Sequence, residues 1–238
     1  MAKKLELTPR LRAVADFVPK GARLVDVGTD HAYLPVCLLL EEHIPHAIAA
    51  DLRKGPLDRA RMTAQEYECT DKVSFRLCDG LKDIRSYEVD AITIAGMGGE
   101  TIAQILSAAR WVKDKNLTVV LQPMSSQPEL RRWLCENGYE ILREKLVQEG
   151  ETLYVIMQVR GGGMAALTPA EEWAGRQHQG MDEPLREAYL TSLLEKTEWA
   201  MSGIARSKEG ISSLRYQQLS QVRDGLLEMK EEWMAWQR

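Results

Sequence analysis

The residues most capable of chemistry in this sequence stand where short apolar runs end. Residues 26–35 (DVGTDHAYLP) begin inside the run Leu24–Val27, and Gly28 permits a sharp turn with close approach of a ligand to the backbone. The dinucleotide pattern G-x-G-x-x-G is not met, because Asp30 and Ala32 stand where glycines would be. Since a pyrophosphate would meet the Asp30 carboxylate, this turn favours a cationic cofactor without phosphate, such as S-adenosylmethionine (SAM). A turn in which Asp30 only caps the next helix is the alternative.

Two further carboxylates follow apolar runs. Asp51 ends the run Ile48–Asp51 and lies 23 residues after Gly28. A carboxylate at this spacing accepts hydrogen bonds from the ribose of an adenosine-containing cofactor, which suits both NAD and SAM, and a helix cap is the alternative. Asp79, before Gly80, is a weaker signal, because Asp-Gly turns are common. An acidic side chain there suits an adenine amino group, and the glycine leaves room for the flat ring.

A third group is the glycine-rich segment after the run Ala91–Ile94. Gly96, Met97, Gly98 and a further glycine at 99 leave the backbone bare, so that a ligand or a flat base could come very close. A tight turn is the alternative, although one glycine would be enough for it. Gln122 ends a later apolar run, where its amide either contacts the edge of a base or only ties the loop.

Helices and strands must position these residues. The first 160 residues alternate apolar runs with helical patterns such as Leu57–Glu68 and Thr101–Trp111. This alternation predicts a doubly wound α/β sheet whose parallel strands end at one edge. A short connection between the last two runs predicts an antiparallel edge. The seven predicted strands are Leu24–Val27, Ile48–Asp51, Val73–Leu77, Ala91–Ile94, Val119–Gln122, Glu140–Val147 and Leu153–Val159.

The composition changes after about residue 160. A triple glycine at 161–163 indicates a linker, and Thr168-Pro-Ala-Glu171 has the pattern of a capping box with proline in the first helical position. Beyond it, two apolar series with an average period of 3.5 residues predict an antiparallel helical hairpin resembling a coiled coil. The series are Leu190, Leu194, Thr197, Met201 and Ile204, then Leu219, Val222, Leu226, Met229, Trp233 and Trp236. The hairpin would serve either packing or dimerisation, or grip a substrate.

Composition excludes several classes of protein. Of 238 residues, 45% are apolar and 28% charged, which is ordinary for a globular chain and excludes a disordered or fibrous one. The net charge of −4 disfavours a protein that binds nucleic acid through overall positive charge. It does not exclude binding through a local basic face. The four cysteines form no Cys-x-x-Cys pair and the histidines show no metal-ligand spacing, so we expect reduced thiols, a cytoplasmic protein and no metal. No apolar stretch is long enough for a membrane span, and because the N-terminus is followed by a polar segment we expect no secretory signal.

With these residues in view, the sequence resembles the bacterial TrmK family, SAM-dependent tRNA (adenine-N1)-methyltransferases that modify adenosine 22. The resemblance runs from about Leu7 to Val159 and continues more loosely through the tail. It implies a Rossmann-like class I methyltransferase domain over residues 1–160, with a mostly parallel seven-stranded sheet, and a helical coiled-coil-like domain over 164–238 that helps hold tRNA. The segments that carry it are LTPRLRAVADFV, VDVGTDHAYLP, AADLRKGPLDRA, LCDGL, IAGMGGETI and LQPM.

The resemblance also implies site residues. The SAM pocket would consist of Gly28, Asp51, Asp79, Gly80, Gly96, Met97 and Gly98. Arg10 matches a basic position near the cofactor carboxylate, which a guanidinium can hold through two hydrogen bonds. The product is S-adenosylhomocysteine. We expect the partner to be tRNA and the protein to be a monomer or weak homodimer that binds no membrane.

Methylation at N1 of adenine implies further roles. Because N1 lies on the pairing edge, the base must be turned out of its stack. The methylated base carries positive charge until a proton leaves N6, so a nearby carboxylate would stabilise it, and Asp30 is the candidate. His31 is the second candidate, as a base or an orienting donor. Three alternatives stay open: a methyltransferase acting on another RNA or a small molecule, a nicotinamide-dependent enzyme, and a non-catalytic RNA-binding protein.

Overall fold

The computed structural model describes residues 5–114, 117–206 and 210–237. Its contacts divide the chain into two compact units. The first unit comprises Met1–Ser126 with Trp133–Met164, and the second comprises Gln127–Arg132 with Ala165–Arg238. Each unit has its own set of packed elements, and the candidate residues from Arg10 to Gln122 all belong to the first.

The first unit is built on a seven-stranded sheet in the order β3-β2-β1-β4-β5-β7-β6. Neighbours among the first five strands pair in parallel, and β7 pairs antiparallel with both β5 and β6. The predicted mostly parallel sheet with an antiparallel edge is therefore confirmed. The strands are β1 (Leu24–Val27), β2 (Ala47–Asp51), β3 (Val73–Leu77), β4 (Ala91–Gly98), β5 (Thr118–Ser125), β6 (Tyr139–Glu149) and β7 (Thr152–Gly161).

Apolar composition explains the central strands. Every residue of β1 and β2 is buried, as expected for strands covered by helices on both faces. Leu24 pairs with Ala47 on one side and with Ala91 on the other, so β1, β2 and β4 start level with one another. Their carboxyl ends consequently meet at one edge of the sheet, which gathers the residues that follow each strand.

Helices connect and cover these strands. The predicted helix 101–111 is two helices, because Ala109 (φ −114°, ψ 61°) leaves the helical conformation. Thr8 caps the first helix and Pro9 occupies its first turn, as both residue types favour. The helices are α1 (Pro9–Ala15), α2 (Tyr33–Leu40), α3 (Lys54–Glu66), α4 (Gly99–Ala108), α5 (Trp111–Asp114) and α6 (Gln127–Glu136).

The second unit contains α7 (Pro169–Ala174), α8 (Arg186–Ala205) and α9 (Leu214–Trp236). The predicted capping box forms, with reciprocal hydrogen bonds between Thr168 and Glu171. Helices α8 and α9 pack against each other, and both apolar series are buried except for their last members, which are partly buried. Within the described ranges, no helix has the length and apolar composition needed to cross a bilayer.

Candidate active site

A cavity of about 470 Å³ lies where the carboxyl ends of β1, β2, β3 and β4 meet, beside α4. Its volume is in the range of small-molecule sites. Five of the residues singled out in the sequence line it together, although they come from four separate turns. They are Gly28, Asp51, Asp79, Gly80 and Met97.

Gly28 forms the floor of this cavity next to β1. Its φ of +75° lies in the left-handed region, where a side chain is unfavourable, and its N–H donates to the carbonyl of Ala50 at 2.8 Å. A Cβ at this position would lie 2.0 Å from the Cε of Met97. The backbone conformation therefore favours glycine, and the methyl group of Met97 lies where a side chain at this position would begin.

Asp51 ends β2, and only 8% of its surface is exposed. Its Oδ1 accepts the N–H of Arg53 at 2.7 Å, which fixes the carboxylate at the start of α3. The Nε of Arg53 lies 3.9 Å from the same oxygen, and Arg53 itself is exposed. Arg53 is the N-cap of α3 and no side chain caps this helix, so Asp51 steadies the turn without capping the helix, and it lines the cavity.

Asp79 and Gly80 form the wall that follows β3. The Nζ of Lys82 lies 2.5 Å from the Oδ2 of Asp79, and this hydrogen bond raises the pKa of the lysine. Gly80 has a φ of +60°, and a Cβ there would lie 3.1 Å from the side chain of Ile105 on α4. The bare glycine lets α4 pack tightly against this wall.

The sequence reasoning did not single out Asp26 as a functional residue. It is buried within β1, and the hydroxyl of Thr93 on β4 donates to its Oδ1 at 2.7 Å. The pKa of Asp26 is raised to about 6, mainly because of burial and to a smaller extent by the nearby Asp51 carboxylate, while hydrogen bonding lowers it. The signal was present in the sequence as a single carboxylate in an otherwise apolar strand.

Arg10, Gly96 and Gln122 form a cluster outside the lining of this cavity. The guanidinium of Arg10 donates to the Oε1 of Gln122 at 2.7 Å, and the N–H of Gly96 donates to the same oxygen at 3.0 Å. The Nε2 of Gln122 donates to the carbonyl of Pro123 at 3.0 Å, and the residue is fully buried. In this structure Gln122 therefore holds the loop in place, which is one of the two roles predicted for it.

The glycine-rich segment also shapes the end of β4. The register between β4 and β5 shifts at Met97, as in a β-bulge, so that Met97 pairs with Pro123 and Gly98 with Ser125. A Cβ on Gly98 would lie 3.1 Å from the Oγ of Ser125. Such bulges redirect side chains, and here the side chain of Met97 reaches the cavity.

Asp30 and His31 lie in the turn after Gly28, outside the cavity lining. The guanidinium of Arg59 donates to the Oδ1 of Asp30 from Nη2 at 2.6 Å and from Nε at 3.0 Å. The ring of His31 stacks on that of Tyr33, with centroids 5.1 Å apart. Helix α2 has Ala32 at its N-cap and no side-chain cap, so Asp30 does not cap that helix.

This turn has a strained backbone. His31 (φ 63°) and Ala32 (φ 54°) are consecutive residues in the left-handed region without being glycines. Such a conformation costs of order 1–3 kcal/mol per residue and concentrates at functional sites. Among the described residues, no group of three or more His, Cys, Asp or Glu side chains could hold a metal ion.

Comparison with known proteins identifies the family. A family model described as a methyltransferase domain matches residues 7–157. The tRNA (adenine(22)-N(1))-methyltransferase of Bacillus subtilis (strain 168) is 36% identical over 159 residues, which are 67% of this chain and 67% of that protein. The chain belongs to this TrmK family. Membership sets aside the nicotinamide-dependent alternative.

Solved structures agree with the TrmK family assignment. The crystal structure of the Bacillus subtilis TrmK has 29% sequence identity and a TM-score of 0.77, with 95% of this chain and 97% of that chain covered. A Streptococcus pneumoniae protein in complex with S-adenosyl-L-methionine has 32% identity and a TM-score of 0.81, with coverage of 94% and 100%. The class I methyltransferase fold and the helical C-terminal part are therefore shared with TrmK relatives.

Proposed function

We propose that this chain methylates N1 of adenosine 22 in tRNA with SAM as methyl donor, releasing S-adenosylhomocysteine. The observation that carries the proposal is the convergence of Gly28, Asp51, Asp79 and Met97 on one cavity in a chain of the TrmK family. When bound, SAM supplies a methyl group already activated by its sulfonium. The protein's own task is consequently to bind, align and exclude water.

The residues present fit this donor. Asp51 would accept hydrogen bonds from the ribose hydroxyls, and Asp79 would accept one from the adenine amino group. Gly28 and Gly80 add no side chain to the cavity lining, so a ligand would meet backbone at both positions. Asp26 and Asp51 add negative charge on neighbouring strands, which favours a cationic group over a pyrophosphate. Arg10, Gly96 and Gly98 would complete the pocket at the end of β4, with Arg10 serving the donor's carboxylate.

Asp30 and His31 supply the chemistry on the substrate side. The side chain of Asp30 is 60% exposed, so it is accessible to an incoming base. Its carboxylate stabilises the positive charge that the adenine carries after methylation and before loss of the N6 proton. His31, held by its stack on Tyr33, orients the base or accepts that proton. The base reaches this turn after leaving its stack in the tRNA.

The remaining assignments follow from the same proposal. Residues 1–160 would bind the donor, and the helical hairpin over 164–238 would help hold the tRNA. We place the protein in the cytoplasm, because its four cysteines are free thiols and its substrate would be tRNA. We expect it to act as a monomer or weak homodimer.

The test is to incubate the full chain with SAM labelled in its methyl group and an unmodified tRNA transcript. Mass spectrometry of the nucleosides and of nuclease fragments should locate the label as N1-methyladenosine at position 22. A transcript with guanosine at position 22 should stay unlabelled. Label on another nucleotide, or no label from a protein that binds SAM, contradicts the proposal.

A further inference from the structure

A second cavity, of about 140 Å³, lies at the opposite edge of the sheet. One of its lining residues is Tyr139, the first residue of β6, and β6 runs parallel to β5 because both are antiparallel to β7. The cavity is therefore at the amino edge of the strands, away from the proposed donor site. Its other walls are the end of α4, α5 and the end of α6, all within the first unit.

The walls combine cationic, hydroxyl and aromatic groups. Arg110 and Lys113 supply two positive charges, and Ser107 supplies a hydroxyl. Trp133 and Tyr139 form an aromatic pair with ring centroids 5.7 Å apart and planes inclined by 31°. Cations with a hydroxyl suit a phosphate group, and an indole face suits a base.

The residues that line the cavity include two cations, Arg110 and Lys113, and no carboxylate. Among the side chains that the structure describes in residues 5–113, 117–206 and 210–237, no ion pair joins the guanidinium of Arg110 to a carboxylate. Other arginines of the same unit are paired, such as Arg23 with Asp90 at 2.8 Å and Arg160 with Glu140 at 2.7 Å. The Nζ of Lys113 donates to the backbone carbonyl of Asn137 at 3.2 Å. Because a carbonyl carries no net charge, this hydrogen bond does not cancel the positive charge of the lysine. The cavity wall therefore carries a local positive charge in a chain whose net charge is negative.

The wall that bears Lys113 is held in place by Gly161. A Cβ on Gly161 would lie 1.8 Å from the carbonyl oxygen of Lys113, so the backbone of α5 is in direct contact with β7. Gly161, interpreted in the sequence as part of a linker, is the last residue of β7 and pairs with Tyr139. The contact therefore holds the backbone of Lys113 next to the strand pair that contains Tyr139.

We propose that this cavity binds a nucleotide through its phosphate, which Arg110 and Lys113 hold while the base lies against Trp133. A volume below that of drug-sized sites admits a phosphate and the edge of one base, and not a dinucleotide. The same chemistry is offered by a nucleotide of tRNA and by a free mononucleotide. The site is separate from the proposed donor cavity, so the inference stands independently of methyl transfer.

The two cations have one competing explanation. They lie just beyond the end of α4, where positive side chains interact favourably with the helix dipole. That explanation accounts for the charges alone and requires neither the hydroxyl nor the aromatic pair. It also predicts that phosphate has no effect on the environment of Trp133.

The test follows the indole N–H of Trp133 by NMR in the full chain, with its signal assigned by comparison with Trp133→Phe. S-adenosylhomocysteine is added first, so that adenine nucleotides cannot report from the donor cavity. Inorganic phosphate and AMP should each shift the Trp133 signal in a saturable way, with AMP the tighter of the two, and adenosine should shift it little. Arg110→Gln should weaken AMP binding about tenfold, as expected for loss of one charge-assisted hydrogen bond.

Lys20→Gln is the matched control. Lys20 is exposed and precedes β1, so this variant removes one positive charge from the same edge of the sheet without touching the cavity. It should bind AMP like the wild type. The proposal is overturned when neither phosphate nor AMP moves the Trp133 signal, or when Arg110→Gln and Lys20→Gln behave alike while both variants keep the wild-type circular dichroism spectrum.

Binding of unmodified tRNA then distinguishes the two sources of the phosphate. With a tRNA nucleotide as the ligand, Arg110→Gln should weaken tRNA binding severalfold and reduce the salt dependence of the affinity by about one phosphate contact. With a free mononucleotide as the ligand, tRNA affinity should stay unchanged while AMP affinity falls. Both results support a phosphate site, and loss of methyl transfer in the wild type would bear on the proposed function alone.

Discussion

The methyl group of Met97 occupies the space where a side chain at Gly28 would begin. The two residues lie on β4 and at the end of β1, and a Cβ on Gly28 would be only 2.0 Å from the Cε of Met97. Because the thioether is flexible, a side chain at position 28 would displace it within the cavity that both residues line. A side chain at position 28 would therefore change the shape of the donor cavity.

Replacing that glycine tests the relationship. Gly28→Ala should reduce stability by about 1–2 kcal/mol, because alanine is strained at a φ of +75°, and should weaken SAM binding about tenfold or more. Thermal denaturation and calorimetric titration with SAM measure the two effects. Gly21→Ala is the control, since Gly21 has a φ of +79° and a Cβ there would meet no atom within 4 Å. Gly21→Ala should be less stable than the wild type and should keep its affinity for SAM. Equal SAM affinities of the two variants would show that the contact with Met97 does not affect donor binding.

Asp51→Asn tests the proposed contact with ribose. Loss of a charged hydrogen-bond acceptor should raise the dissociation constant of SAM by about 10- to 100-fold, corresponding to about 1.5–3 kcal/mol. Asp58→Asn removes a carboxylate that is exposed and paired with Arg61 on α3, and should leave SAM binding unchanged. An unaltered constant in Asp51→Asn shows that the carboxylate serves only the turn at Arg53.

Asp30→Ala should separate donor binding from turnover. The residue lies outside the lining of the donor cavity, so SAM affinity should be kept, while the rate of tRNA methylation should fall about 100-fold or more through loss of charge stabilisation. Single-turnover assays with saturating tRNA measure the rate. Arg59→Gln removes the ion-pair partner of Asp30 and keeps the carboxylate, so it should retain most of the rate. If Arg59→Gln were as slow as Asp30→Ala, the ion pair and not the carboxylate would be the important element.

The sequence was sufficient to predict the sheet because its strands are short apolar runs separated by helical patterns. Gly28 and Asp51 could also be placed at one edge, since parallel strands end together. Pairing between distant polar side chains could not be predicted. Arg59 meets Asp30 from 29 residues away, and Arg10 meets Gln122 from 112 residues away, and nothing local to either residue specifies its partner.

Some local backbone conformations could not be predicted from the sequence, for a different reason. The break in the predicted helix 101–111 occurs at Ala109, a residue with high helix propensity, so tertiary packing and not local preference ends α4. Likewise, the left-handed conformation of His31 and Ala32 is uncommon for residues other than glycine, and for Ala32 in particular no local preference favours it. Such conformations are visible only once the surrounding elements are in place.

The buried carboxylate of Asp26 predicts an unusual pH dependence of stability. Its pKa in the folded protein is about 6, above the ordinary value of 3.8, mainly because of burial. The folded state therefore holds this proton more tightly than the unfolded state does, and the contribution of the group to stability is present below about pH 4 and is lost as the pH rises to about 6. At about 1.4 kcal/mol for each pKa unit, the loss is at most about 3 kcal/mol.

Urea denaturation of the wild type and of Asp26→Asn, at several pH values from 4 to 7.5, measures this contribution. The free energy of unfolding of the wild type, relative to that of the variant, should fall between about pH 4 and 6 and then stay constant. Glu88→Gln is a control of opposite sign, because the hydrogen bond from Arg76 lowers the pKa of Glu88. The advantage of the wild type over that variant should be constant at neutral pH and should shrink only as the pH falls through the carboxylate's own titration. A difference between wild type and Asp26→Asn that does not vary from pH 4 to 6 would mean that Asp26 stays ionised in the folded protein.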